Sequence, residues 1–190
     1  MALTLANKVT VGRILIVPFF IATVLYYCPE REFLRLVALG LFLTAVISDV
    51  IDGYIARTRH QKTKAGAILD PLADKLLLMS AFLCLYQVGN YFPTIRFPMW
   101  LVVALISRDV ILLLGAMIIQ LISGRLQVVP NRWGKATAFF QIICVLGILL
   151  QIQWSSMVWG ATLFVTTISG IVYIKEGIKI LNASGNPNHS

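Results

Sequence analysis

Half of the acidic residues of this 190-residue chain fall in one stretch. Asp49, Asp52, Asp70 and Asp74 lie in SDVIDGYIARTRHQKTKAGAILDPLADK, counted from Ser48, whereas Glu30, Glu32, Asp109 and Glu176 are scattered. The four aspartates form two pairs, spaced i, i+3 and i, i+4, so on helices each pair points from one face. Apolar sequence flanks both, LVALGLFLTAVI before the first and LLLMSAFLCL after the second. Ionised carboxylates beside membrane-length helices are costly unless cations compensate them. Carboxylate oxygens are ligands for hard divalent ions, Mg²⁺ or Mn²⁺, which bridge to substrate phosphates. Four aspartates from two adjacent helix ends can hold two such ions. Two ions close together can clamp a diphosphate, neutralise the leaving group and orient an incoming hydroxyl. An aspartate at the rim can take the hydroxyl proton.

Glycines accompany both pairs: Gly53 follows Asp52, and Gly66 stands four residues before Asp70. A missing side chain lets a flat base or a phosphate approach the backbone, and it equally lets two membrane helices pack closely. Arg57 suits either a phosphate contact or a snorkelling place at the interface. It lies eight residues from Asp49, about 12 Å along a helix, which sets the site below the interface and short of the midplane.

The elements that must carry these residues follow from composition. The chain is 58% hydrophobic and only 13% charged, with a mean hydropathy of +0.84. A soluble domain has about 25% charged residues. The expected fold is therefore an all-α integral membrane protein, a single domain over 1–190 with six transmembrane helices. Hydropathy places them at about 14–27, 33–57, 66–88, 99–122, 135–152 and 156–174. Residues 1–12 read as an interfacial segment, and 183–190 as a disordered tail. Lys8 and Arg13 precede an apolar run, as in a signal peptide, yet no small-residue cleavage pattern follows, so the run reads as a span. Pro18 lies within it. Aromatic and turn residues in GNYFPTIRFP suit a membrane interface.

Charge sets the orientation. The N-terminus, the 2–3 and 4–5 loops and the tail hold eleven lysines and arginines, against Arg31, Arg35 and Arg96 on the other side. Both termini and the carboxylate site are thus expected on the cytoplasmic side. The net charge of +8 favours anionic head groups or phosphate-bearing substrates. Because the basic residues are split among short loops, a nucleic-acid surface is a poor alternative and no nucleic-acid partner is expected. Cys28, Cys84 and Cys144 read as small buried thiols without a disulfide or metal role, and neither His60 nor His189 has a partner at metal-ligand spacing.

The central stretch resembles the signature of the CDP-alcohol phosphatidyltransferases, D-x2-D-G-x2-A-R-x8-G-x3-D-x3-D. Asp49, Asp52, Gly53, Ala56, Arg57, Gly66, Asp70 and Asp74 supply it with no departure in spacing. The family's six-helix layout covers nearly the whole chain. By resemblance, Asp49, Asp52 and Asp70 bind two Mg²⁺ or Mn²⁺ ions. Asp74 joins the metal site and acts as the base on the acceptor hydroxyl. Gly53, Ala56, Arg57 and Gly66 hold the CDP moiety. The implied reaction, a step of phospholipid biosynthesis, moves a phosphatidyl group from CDP-diacylglycerol to an alcohol and releases CMP. The resemblance also implies a homodimer and a place in the bacterial inner membrane.

Asn7, Thr10 and Arg13 are similar to the PN-x-x-T-x-x-R entry of the glycerophosphate-using bacterial branch, with Ala6 in place of its proline. That similarity makes glycerol 3-phosphate the first acceptor. The SRDV and WGKATAF runs are similar to cardiolipin synthases of the same superfamily, which makes phosphatidylglycerol the alternative. Arg108, Lys135 and Arg125 are the cations outside the signature that suit an anionic acceptor, although Arg108 and Asp109 also read as a self-neutralising pair. A divalent-cation transporter is the reading from another class, because acids within spans mark ion pathways. Clustering at two helix ends, without repeats, counts against it.

Overall fold

The computed structural model describes the backbone of residues 5–58, 64–123 and 132–184, and the side chains of 12–51, 72–115, 133–175, 177 and 178. Six α-helices account for most of it: α1 (Leu5–Leu25), α2 (Glu32–Thr58), α3 (Lys64–Gln87), α4 (Met99–Ser123), α5 (Arg132–Leu149) and α6 (Ser155–Ser184). Single 3₁₀ turns precede α2 at Pro29–Arg31 and follow α3 at Gly89–Tyr91, and no strand occurs among the described residues.

Helices α2, α3 and α4 begin and end within two residues of the expected bounds. Three other boundaries differ. Helix α1 starts at Leu5, so residues 5–12 are its first turns and not a separate segment. Nothing there stops a helix except the lone Gly12, which costs only about 1 kcal/mol. Helix α5 runs three residues earlier than expected and stops at Leu149. Its end is a Schellman turn. The Ile152 amide donates to the Gly147 carbonyl at 2.9 Å and the Gln151 amide to Ile148 at 3.0 Å. Gln151 takes the left-handed position (φ 55°) where glycine is usual. Helix α6 extends ten residues past its expected end, because KEGIKILNAS keeps apolar residues at helical spacing. Residues 185–190 of the expected tail lie outside the described residues.

The described chain forms two compact units. The first comprises 1–98 together with 145–153, the last turn of α5 and the residues after it. In it α1 packs against both α2 and α3. Ala38, Ala45, Ala73 and Ala81 are fully buried or nearly so and let the helix backbones approach. Phe20 meets Phe42 at a ring separation of 5.9 Å, and Phe82 meets Phe97 at 5.0 Å. Gln151 ties the segment after α3 to the end of α5. Its Oε1 accepts from the amides of Thr94 (3.1 Å) and Ile95 (3.2 Å), while its Nε2 donates to the Ile148 carbonyl at 2.7 Å. Arg35 donates to the Leu149 carbonyl at 3.0 Å, a cation on the C-terminal end of α5.

The second unit comprises 99–144 and 154–190, with α4 packed against α6. Its interior is partly polar: Asp109, Thr137, Gln141, Thr162, Thr166 and Ser169 are all buried. Cys144 lies 3.1 Å from the Thr162 hydroxyl; all three cysteines are free, with Cys84 and Cys144 buried as expected but Cys28, just before the 3₁₀ turn, only half-buried.

Among the described residues, large apolar side chains stand on the outward faces of the helices. Phe19, Ile47, Val50, Leu83, Ile111, Leu114, Phe139, Phe164 and Ile171 are all exposed, the reverse of a soluble bundle. The exposed hydroxyls of Thr23, Thr44, Ser107 and Thr167 each donate to the carbonyl one turn back. That pairs these four donors on faces where water is absent in a bilayer. Two stretches, Pro29–Ile51 and Ser155–Lys175, are long and apolar enough to cross a bilayer, consistent with a helical membrane protein.

Candidate active site

Asp49 is carried on α2 and Asp74 on α3, and one arginine of α1 brings them together. Arg13 Nη2 lies 2.6 Å from Asp49 Oδ1, and Nη1 donates to Asp74 Oδ1 at 2.5 Å. The guanidinium is 2% exposed, whereas each carboxylate side chain keeps 41% of its surface open. The cation is thus enclosed in the helix packing and the anions face outward from it. Packing of α1 on both α2 and α3 makes this geometry available, since only a helix between the other two can reach both.

The remaining signature residues fall where the spacing requires. Asp52, Gly53, Ala56 and Arg57 continue α2, and Gly66 and Asp70 lie in α3 ahead of Asp74. Both aspartate pairs are therefore on continuous helix, but the side chains of these six residues lie outside the described residues. Two hard oxygen donors from different helices converge within one guanidinium's span and stay accessible, which suits a divalent cation bound to carboxylates and phosphate. Among the described residues no three acids, cysteines or histidines group together.

Helices α4, α5 and α6 hold a separate polar cluster in the second unit. Arg108 Nη1 donates to Asp109 Oδ1 at 2.7 Å, and Arg108 Nη2 donates to Ser169 Oγ at 2.5 Å. Gln141 Nε2 donates to Asp109 Oδ2 at 3.0 Å, so both oxygens of that carboxylate are bonded. Asp109 is 2% exposed. Burial of a carboxylate at such depth demands a partner of opposite charge, and its neighbour in sequence supplies it. Lys135 sits exposed on the first turn of α5. Arg125, the third candidate cation, lies outside the described residues.

Arg13, as a bridge, is the residue that sequence reasoning missed. It figures there only as a loop charge and as part of the N-terminal pattern. A usable signal exists: an arginine at the edge of the apolar run of α1 needs a counter-charge, and few acids are available. Gln141 and Ser169 were missed too, since polar residues scattered through apolar helices carry no spacing signal.

Comparison with known proteins identifies the family. Residues 3–168 match the CDP-alcohol phosphatidyltransferase family. The chain is 31% identical over 181 residues to a probable phosphatidylglycerophosphate synthase of Mycobacterium tuberculosis, covering 92% of this chain and 82% of that protein. It is 30% identical over 197 residues to the CDP-diacylglycerol–glycerol-3-phosphate 3-phosphatidyltransferase of Bacillus subtilis, covering 95% and 98% of the two. A CMP-forming cardiolipin synthase of rice is 35% identical over 112 residues, 57% of this chain and 33% of the rice protein. The paired aspartates stand on two helices, α2 and α3, each packed against α1. This chain belongs to the CDP-alcohol phosphatidyltransferase family.

Proposed function

We propose that this protein transfers the phosphatidyl group of CDP-diacylglycerol to glycerol 3-phosphate, releasing CMP and forming phosphatidylglycerophosphate. The observation that carries the reading is the length of the agreement. The Bacillus subtilis transferase of that name aligns over 98% of its length, and the eight signature positions are intact. The family match also runs through both compact units, which supports treating them as one functional domain.

In this reading Asp49, Asp52, Asp70 and Asp74 would hold two Mg²⁺ or Mn²⁺ ions. When bound, the ions supply charge neutralisation on the diphosphate and on the departing CMP. Gly53, Ala56, Arg57 and Gly66 hold the cytidine nucleotide, with Arg57 on a phosphate oxygen. Asp74 takes the proton of the acceptor hydroxyl as that oxygen attacks the phosphorus bearing diacylglycerol. The bond from that phosphorus to the CMP oxygen breaks, and CMP leaves. Lys135, Arg125 and Arg108 receive the acceptor's phosphate, which otherwise meets an anionic diphosphate. The six helices span the membrane with both termini and the site at the cytoplasmic face, in a bacterial inner membrane, as a homodimer. The loop charges support that orientation.

Phosphatidylglycerol is the second acceptor, favoured by the similarity to the rice cardiolipin synthase, although that match spans a third of the rice protein. Purified protein offered CDP-diacylglycerol with labelled glycerol 3-phosphate or phosphatidylglycerol separates the two. Phosphatidylglycerophosphate formed without added phosphatidylglycerol supports the proposal. Cardiolipin formed only with phosphatidylglycerol replaces it by the second reading.

A further inference from the structure

Arg13 lies outside the eight-residue signature, yet it contacts a carboxylate from each aspartate pair. Its two terminal nitrogens are divided between Asp49 on α2 and Asp74 on α3, at 2.6 and 2.5 Å. We propose that Arg13 is a positioning residue of the transferase site, whose fork sets the separation of Asp49 and Asp74 for divalent-ion binding. This rests on the metal reading proposed above.

Three observations carry the inference. The guanidinium is 2% exposed, so its direction is set by the packing of α1 against α2 and α3 and not by solvent. The two carboxylates are 41% exposed, so they stay open to a ligand while bonded. They also belong to different helices, whose separation no local hydrogen bond could fix. A planar guanidinium offers two separate donor nitrogens in rigid geometry, whereas a lysine ammonium is a single point of charge. Groups that orient metal-binding carboxylates are worth about 10–100-fold in metal affinity.

A neighbouring positive charge also repels a divalent ion, and that effect opposes the positioning effect in sign. Charge and geometry are separated by Arg13→Lys, which keeps the first and removes the fork. Binding of Mn²⁺ to purified protein is read from the paramagnetic resonance signal of the free ion, and thermal unfolding in chelator is measured beside it. For Arg13→Lys the half-saturating Mn²⁺ concentration is expected to rise about 10–100-fold, with unfolding close to wild type. Arg13→Gln, which offers one donor group, is the second variant and should weaken binding likewise. Unchanged binding in Arg13→Lys with tighter binding in Arg13→Gln would overturn the proposal, leaving Arg13 as a charge only. Loss of folding in both variants, or lowered stability with unchanged Mn²⁺ binding, would overturn it in favour of a helix cross-link. If the wild type retains no Mn²⁺, the metal reading itself fails and takes this inference with it.

Discussion

The buried Arg108–Asp109 pair admits a quantitative test. Asp109 is 2% exposed and has one oxygen on Arg108 and the other on Gln141. Asp109→Leu leaves the Arg108 guanidinium, 13% exposed, with Ser169 as its remaining contact. Breaking a buried pair from one side costs about 3–5 kcal/mol. At about 2–4 °C per kcal/mol for a chain of this size, unfolding should fall by roughly 6–20 °C. Arg108→Met alone should cost a similar amount. The double variant Arg108→Met/Asp109→Leu removes both charges and should recover most of the loss, since apolar replacement of a buried pair is often neutral or stabilising. Unfolding in detergent, followed by tryptophan fluorescence, reads all four proteins of the cycle. The double variant then isolates function. Loss of a charged hydrogen bond of about 1.5–3 kcal/mol should raise the acceptor KM about 10–100-fold, with the KM for CDP-diacylglycerol unchanged. Recovered stability with an unchanged acceptor KM would remove Arg108 from the acceptor site. No recovery in the double variant would refute the ion-pair reasoning.

Three further outcomes follow from named residues. Asp74→Asn should retain appreciable binding of CDP-diacylglycerol while turnover falls at least about 100-fold, as expected on losing a general base; near-normal turnover would end that assignment. Gly66→Leu should weaken CDP-diacylglycerol binding with thermal stability kept, whereas parallel losses of both, graded through Gly66→Ala, would favour helix packing. Gln151→Ala should lower stability by about 1–3 kcal/mol, because it frees the amides of Thr94 and Ile95. Gln151→Gly should be milder than Gln151→Ala by about 1 kcal/mol, since glycine adopts φ 55° without strain; the reverse order would contradict the Schellman account.

The aspartate signature was legible because its chemistry must be met by short spacings within two helices, which sequence displays directly. Helix type was legible for the same reason: long apolar runs between polar breaks leave few alternatives. The Arg13 bridge was not, since Arg13 and Asp74 stand 61 positions apart and only packing brings them together. Nor was the end of α5, where LGILLQIQW stays apolar past Leu149 and the stop is a left-handed glutamine held by partners from another segment. The start of α1 was misplaced because hydropathy marks where a chain becomes apolar, whereas a helix continues through mixed sequence until something stops it. Division into two compact units left no mark in the sequence, since composition does not shift at 98 or 145.

Release of CMP from CDP-diacylglycerol in the presence of glycerol 3-phosphate tests the central claim most directly, measured for wild type and Asp70→Asn across a Mn²⁺ titration that begins in strong chelator. Turnover should be absent in chelator, rise with Mn²⁺ in the wild type and stay near zero in Asp70→Asn. CMP release that persists in chelator, or that survives Asp70→Asn unchanged, would contradict a metal-dependent transferase built on the four aspartates.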